Sequence, residues 1–469
     1  MNAICLYFQI HQPFRLKRYR FFDIGNDHYY YDDFANDEII TRMAEKSYLP
    51  ANKMLLDMIN ESGKKFKVAF SISGTAIEQF QQYVPEFIDS LKVLVNTGCV
   101  EFLSEPYSHS LASLSSPEEF HRQVKMHDNL IYELFGQKPK VFKNTEYIYN
   151  DEIAALIAEM GFSATITEGA KHILGWKSPN YVYASAGAPN MKLLFRNAKL
   201  SEDIAKNFSN TTWFEYPLTA DKYMSWIAQS PREEQITNIA LSYETIGGFH
   251  PAETGIFDFI KALPRFAEEK GIEFWMPSEA AAKLNAVDTI SVTHPISDAD
   301  EARDTSAWLG NDLQWEAFNK LYSVAERIQM CSDKRLLQDW TYLQSSDHLF
   351  YMSTKHFGDG SSLFSPYESP YMAFTNYMNV LSDFIVRVEG QFPLSIENEE
   401  LNALLTTIKN QESEIGQLNK ELKALKESIK DASVVDEAPA EEAKAKKTTT
   451  RKSAAKKTTT RKTTKKTEE

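Results

Sequence analysis

A chain of 469 residues, 43% hydrophobic and 12% aromatic, is long enough to bury a large core and to form roughly three domains at about 150 residues each. Its three cysteines (Cys5, Cys99, Cys331) are too few and too scattered for a disulfide framework or a zinc cluster, and no run reaches the ~18 apolar residues of a membrane span. The net charge of −14 conceals a divided chain, because residues 444–469 hold eleven Lys/Arg against two Glu and leave the rest with 40 basic and 63 acidic residues.

The N-terminal MNAICLYFQIHQPF has no basic leader and no small-residue cleavage site, so a cytoplasmic location is expected. Residues 3–9 predict a first strand, ending in a turn at His11-Gln12-Pro13. Residues 66–73 predict a second strand, followed by one helix over 77–95 that stops near Gly98. Further strands are expected at 100–103, 141–142, 164–167, 193–195, 236–243 and 272–275. Helices fit 117–135, 151–160 and 255–269. Such β-then-α alternation argues for an α/β fold with a parallel sheet, closed or doubly wound. In a closed barrel, polar residues at the C-terminal strand ends face a common site.

From about 305 to 390 the pattern turns helical, with Trp308, Leu309, Trp315, Phe318, Leu321 and Tyr322 spaced for one face. Residues 401–429 carry a heptad: Leu401, Ile408, Ile415, Leu422 and Ile429 at a, Leu404, Gln411, Leu418 and Leu425 at d. Mostly Ile at a with Leu at d suits a parallel two-stranded coiled coil, so a homodimer through 401–429 is expected. The end of the chain repeats AKKTTTRKSA (445–454) as AKKTTTRKTT (455–464) and has no large apolar residue, which predicts disorder. Binding of a polyanion or nucleic acid and simple solubilisation are both open readings of this tail. The expected organisation is a barrel over 1–285, a helical domain completing the cleft over 286–392, the coiled coil over 393–431 and the tail over 432–469.

Polar groups cluster in five segments: QIHQP (9–13), EFLSEPYSHSL (101–111), FKNTEYIYND (142–151), LSYETIGGFH (241–250) and QSSDHLFYM (344–352). In order and spacing they resemble the five motif regions of glycoside hydrolase family 57, in particular its α-amylase-like members, over residues 1–390. The fourth region continues to Glu253-Thr254-Gly255-Ile256-Phe257. The resemblance implies an incomplete (β/α)7 barrel followed by an α-helical domain, acting on α-glucans with retention of configuration. Retention needs two carboxyl groups about 5–5.5 Å apart. By position in the third motif, Glu146 corresponds to the nucleophile. His11, Gln12, Glu105, His109, Glu244, His250, Asp347 and His348 correspond to sugar-binding positions.

The fourth motif departs from the family. Its acid/base is an Asp two residues before the Glu of a Tyr-Glu pair, and here Ser242 stands there. A serine hydroxyl supplies no proton near neutral pH, and loss of general acid catalysis costs about 10²–10⁴-fold. Glu244 faces the same side of a strand as Ser242 but belongs to the ordinary motif, so its presence is not compensation; Asp347 or a water is another conceivable acid. The expected function is therefore an α-amylase-like protein that acts on or binds α-glucans with hydrolysis impaired. An active hydrolase or glucanotransferase using another acid, and a coiled-coil scaffold with a polyanion-binding tail, are the alternatives. Trp176 and Trp213 are candidate stacking platforms. The chain has no GxSxG, P-loop or GxGxxG motif, and His109, His121 and His127 lack an HxxxH spacing, so no catalytic metal and no cofactor is expected.

Overall fold

The computed structural model describes residues 3–356 and 365–392, together with residues 404, 407, 408, 411, 412, 415, 416 and 418. Along β1 (Ala3–Ile10) successive side chains enter two different apolar environments. Ile4, Leu6, Phe8 and Ile10 join a large cluster with the surrounding helices, whereas Ala3, Cys5 and Tyr7 join a smaller cluster made mostly by strands. A strand buried on both faces is characteristic of a parallel sheet clothed in helices.

The remaining strands are β2 (Val68–Ile72), β3 (Val100–Phe102), β4 (Phe142–Lys143), β5 (Ala164–Glu168), β6 (Val182–Ser185), β7 (Lys192–Arg196), β8 (Ile236–Ser242), β9 (Glu273–Phe274) and β10 (Thr289–Ile290). Parallel pairing runs β1 to β2 to β3, then β4 to β5 to β7 to β8, and β8 returns to β1. A parallel bridge from Ser104, just beyond β3, to Phe142 of β4 closes the ring. Among the described residues, seven parallel strands thus form a barrel. Outside it β6 pairs antiparallel with β7, β10 joins β6, and β9 joins the start of β1, so the whole sheet is mixed.

The helix expected over 77–95 is two helices, Gly74–Tyr83 and Pro85–Asn96. Pro85 offers no N–H and holds the preceding Val84 out of helical geometry, at φ −139°. Two helices that the pattern did not single out, Asp33–Met43 and Leu49–Glu61, flank a five-residue π-helical stretch, Ala44–Tyr48. Such stretches are frequent at functional sites.

After the barrel come the helices Ser306–Leu309, Asp312–Tyr322, Ala325–Ile328, Lys334–Leu343, Ser346–Phe350 and Pro370–Glu389. Their Trp308, Phe318, Trp340 and Phe384 share one buried cluster with Phe142, Ile153, Leu193 and Phe195. Barrel and helices therefore fall into one unit, Met1–Phe392. Trp315, expected on the inward face, is exposed; the helix that carries it turns Gln314, Ala317, Phe318 and Leu321 inward instead. In the second unit, Pro393–Glu469, the described residues are helical and Leu404, Ile408, Ile415 and Leu418 are exposed. The other heptad positions and the basic tail lie outside the described residues. No helix among the described residues is long and apolar enough to cross a membrane.

The β6–β7 hairpin is locked to the barrel by a close backbone approach. A Cβ on Gly187 would stand 2.1 Å from the carbonyl oxygen of Asp151, the first residue of helix Asp151–Glu159. Gly187→Ala should cost about 1–3 kcal/mol by overpacking, read as a lower guanidinium unfolding midpoint. An unchanged midpoint would mean that the hairpin is free to move away.

Candidate active site

The C-terminal ends of the parallel strands lie at one mouth of the barrel, and each delivers polar groups there. β1 supplies Gln9 and leads into His11 and Gln12; β2 supplies Ser71 and leads into Ser73. The segment after β3 carries Glu105 and His109, that after β4 carries Glu146, and β8 ends at Ser242 before Glu244. His109, Glu146 and Tyr147 have left-handed backbones, with φ of 52°, 47° and 57°. Non-glycine residues seldom adopt that region, and they hold it only where the surroundings fix it. Here Asn144 Nδ2 donates to the Ile148 carbonyl at 2.9 Å, and Thr145 Oγ1 to the Ser110 carbonyl at 2.7 Å.

Helix Pro117–Phe135 braces the segment after β3. Its Gln123 accepts from the Ser108 N–H at 3.2 Å and from Ser110 Oγ at 2.9 Å, while His127 Nε2 bonds the Ile72 carbonyl at 2.8 Å. The helical region adds Asp347: Ser346 N–H donates to the His109 carbonyl at 3.1 Å, fixing the start of helix Ser346–Phe350 at the mouth.

Three of these residues form a continuous ionic chain. His109 Nε2 meets Glu146 Oε1 at 2.8 Å, and its Nδ1 meets Glu105 Oε2 at 3.2 Å. Ser71 Oγ donates to the other Glu105 oxygen at 2.8 Å, and Gln9 Nε2 donates to Glu146 at 3.3 Å. Burial works against the charged His109, yet its bonds to the two carboxylates outweigh it and carry the imidazole up to about 9. Burial likewise pushes Glu105 and Glu146 up, and His109 with Lys143 brings both below the ordinary carboxylate range, Glu105 to about 2. Both are carboxylates and His109 is an imidazolium at neutral pH.

His11 stacks on His109 with ring centroids 4.2 Å apart. Burial and the positive charge of His109 lower its pKa, so His11 is the neutral member. It donates from Nε2 to Asp347 Oδ2 at 2.7 Å and accepts from Ser73 Oγ at Nδ1, also at 2.7 Å. Burial raises Asp347, but His11 and then His109 more than reverse this, so Asp347 stays ionised.

Ser242 and Glu244 form an adjoining set. Gln9 and Ser242 are register partners on neighbouring strands, so their side chains leave the sheet on the same side. The Ser242 hydroxyl donates to Glu244 Oε2, while the Tyr48 hydroxyl and Gln12 Nε2 donate to Oε1, the latter at 3.4 Å. Burial raises the Glu244 pKa and these donors only partly offset it. Tyr48, from the π-helical stretch, was invisible in the sequence because nothing in KSYLP signals a site.

Two expected sugar-binding histidines are not in this assembly. His250 Nδ1 meets Ser209 Oγ at 2.7 Å and its Nε2 meets the Ile204 and Ala205 carbonyls at 3.0 Å, so both ring nitrogens are engaged. His348 is buried against the Tyr377 ring, meets the Tyr342 carbonyl at 3.3 Å, and is lowered to about 4 by burial. Trp176 is 92% exposed, whereas Trp213 packs beside Phe214 and Trp226. Among the described residues no group of three or more His, Cys, Asp or Glu is placed to hold a metal ion.

The His109 charge is testable directly. Its imidazole should keep both protons from pH 6 to 8 and titrate near 9 in nitrogen-15 NMR spectra, and Glu105→Gln should move that midpoint down. The sign follows from the raised value: stabilisation from the charged ring is complete below about 6.5 and fades as pH rises through about 9. A midpoint at 6.5 in the wild type would overturn the ionic chain.

Residues 5–293 match glycosyl hydrolase family 57. A protein of Methanocaldococcus jannaschii named a putative alpha-amylase is 42% identical over 393 residues, covering 80% of this chain and 83% of its own. Among solved structures, a GH57 branching enzyme of Thermococcus kodakaraensis superposes with a TM-score of 0.60 at 13% identity, over 82% of this chain and 90% of that one. A 4-alpha-glucanotransferase of Thermococcus litoralis gives 0.58 at 14% identity, over 84% of this chain but 60% of the larger enzyme. At these identities the superpositions speak for a shared fold, and the sequence match speaks for kinship. The chain belongs to glycosyl hydrolase family 57.

Proposed function

We propose that the chain binds α-glucans at the barrel mouth and reacts with them through Glu146 as a retaining nucleophile, with hydrolysis of unactivated glucans slowed by Ser242. The observation that carries this reading is the His109–Glu146 contact of 2.8 Å, which keeps a half-buried carboxylate ionised beside strand-end hydrogen-bonding groups. An ionised oxygen is what attack on an anomeric carbon requires. Glu105 holds His109 against this nucleophile, and His11 and Asp347 at the same mouth offer hydrogen-bonding groups for sugar hydroxyls. The relative from M. jannaschii carries the name of an alpha-amylase, which fits the same ligand class.

Glu244 does not replace an acid at position 242 in this reading. Its carboxyl is only 4% exposed and receives Ser242, Tyr48 and Gln12, so it is occupied rather than aimed at a leaving oxygen. Proton donation by a misplaced group is inefficient because general acid catalysis depends on hydrogen-bond reach. Attack by Glu146 on an unactivated glucan is then slowed for want of an acid at position 242.

Intact mass after incubation with α-maltosyl fluoride tests the nucleophile, since fluoride needs no acid. A maltosyl adduct is expected on the wild type and not on Glu146→Gln; no adduct on either would sink the reading. Ser242→Asp should raise release of reducing ends from maltooligosaccharides by about 10²–10⁴-fold.

The C-terminal unit favours a second, compatible property, pairing of two copies through 401–429. Leu404, Ile408, Ile415 and Leu418, all on the heptad stripe, are helical and 40–60% exposed in the single chain. Such a narrow apolar stripe suits another helix. Sedimentation equilibrium should give a dimer for the full chain and a monomer for residues 1–392; a monomeric full chain counts against pairing. The basic repeats at 445–464 would then present two tails to a polyanion, an attraction that weakens with salt.

A further inference from the structure

The segment after β10 returns to the barrel mouth and is fastened to the loop that bears the nucleophile. Ile296 and Tyr149 exchange backbone hydrogen bonds at 3.0 and 3.1 Å, and Asp298 N–H donates to the Glu146 carbonyl at 3.3 Å. Arg303, itself left-handed at φ 52°, donates from Nη1 to the Asp298 carbonyl at 3.0 Å. The backbone of Asp298 is thus tied to Glu146 on one side and to its own loop on the other.

The side chain is half-buried, and its Oδ1 is shut off from solvent with no hydrogen-bond partner among the described residues. An undonated carboxylate oxygen is costly as an anion and far less so as a neutral acid. The charged and titratable groups facing it are Glu146, Lys143 and Tyr147 from the β4 side, Glu168 of β5, Arg196 of β7, and Arg303. Arg196 Nη1 meets Glu168 at 2.8 Å, though its Nε has no hydrogen-bond partner among the described residues, and Arg303 Nη2 meets Glu202 at 2.6 Å. Lys143 Nζ lies 4.7 Å from the Tyr147 ring centroid. No cation is paired to Asp298 among the described residues, while the negative Glu146 is its neighbour.

We propose that the Asp298 carboxyl is the proton donor and acceptor for the slow glycosyl transfer that persists with serine at position 242. This rests on the reading of Glu146 as nucleophile. In the first step a Glu146 oxygen bonds to the anomeric carbon, the glycosidic C–O bond breaks, and the leaving oxygen takes the Asp298 proton. In the second, a water oxygen bonds to the anomeric carbon, the ester to Glu146 breaks, and the water proton returns to Asp298. The net change is addition of one water across one glycosidic bond.

Two carboxyls of unequal proton affinity are the division of labour a retaining site needs. Burial first, and then the Glu146 charge, push Asp298 up to about 8, while His109 holds Glu146 down. Asp298 is therefore the protonated member at neutral pH. Acid assistance is full below this value and is lost as pH rises through about 8.

The test compares wild type and Asp298→Asn on maltopentaose and on α-maltosyl fluoride. The variant should cleave maltopentaose about 10²-fold more slowly or worse, and lose the fall in kcat/KM near pH 8. It should still take the maltosyl label from the fluoride, and the adduct should outlast that of the wild type because no base activates water. Azide, which needs no base, should discharge that adduct as α-maltosyl azide. Equal cleavage rates and pH profiles would overturn the assignment, as would a wild type without measurable cleavage. Loss of labelling in Asp298→Asn alone would also overturn it, leaving Asp298 only a brace for the Glu146 loop. A wild type that takes no label defeats the nucleophile reading itself, and this inference with it.

Discussion

One buried imidazolium organises the barrel mouth. His109 lies between Glu105 and Glu146, with hydrogen bonds to both, and is 1% exposed. Each partner alone would be unfavourable there: a bare carboxylate or imidazolium in such surroundings shifts its pKa and neutralises. Together they stay charged, and the arrangement explains why His109 and Glu146 accept left-handed backbones. The strain, of order 1–3 kcal/mol per residue, is offset by the contacts that those conformations permit.

The remaining protonation states follow from that pair. A second cation stacked 4.2 Å away would repel His109, so His11 is neutral and orients by donating to Asp347. Asp347 faces His11 and His109 and remains an anion; Asp298 faces Glu146 with no paired cation among the described residues and keeps its proton. Burial raises both aspartates; the two histidines reverse it for Asp347, whereas the Glu146 charge adds to it for Asp298. The fold provides the contrast cheaply, because the helical region supplies Asp347 against the His109 segment while the segment after β10 supplies Asp298 against the Glu146 loop.

The parts of this that were legible in the sequence are those written into local pattern. β1 announces itself by an apolar run ending in QIHQP, and Glu105, His109 and Glu146 sit in short polar motifs after strands. The two-residue β10 and the π-helical stretch at 44–48 carry too little periodicity to be read. Tyr48 and Asp298 were missed for a different reason: each acts through a contact spanning more than 150 residues, Tyr48 with Glu244 and Asp298 with Glu146. His250 and His348 were expected at the site from motif position alone; tertiary packing engages His250 with the Ser209 hydroxyl and the Ile204 carbonyl, and His348 Nε2 with the Tyr342 carbonyl.

Ser242 closes a polar network of its own, because its hydroxyl donates to Glu244 alongside Tyr48 and Gln12. A lone buried carboxylate with unmatched donors would destabilise the mouth; this set is satisfied. Glu146 is held in its charged form by His109, which is not a member of the Ser242 set. The Ser242 set and the His109 set are each satisfied by their own partners, and Gln9 joins them: it is the register partner of Ser242 and donates to Glu146 at 3.3 Å.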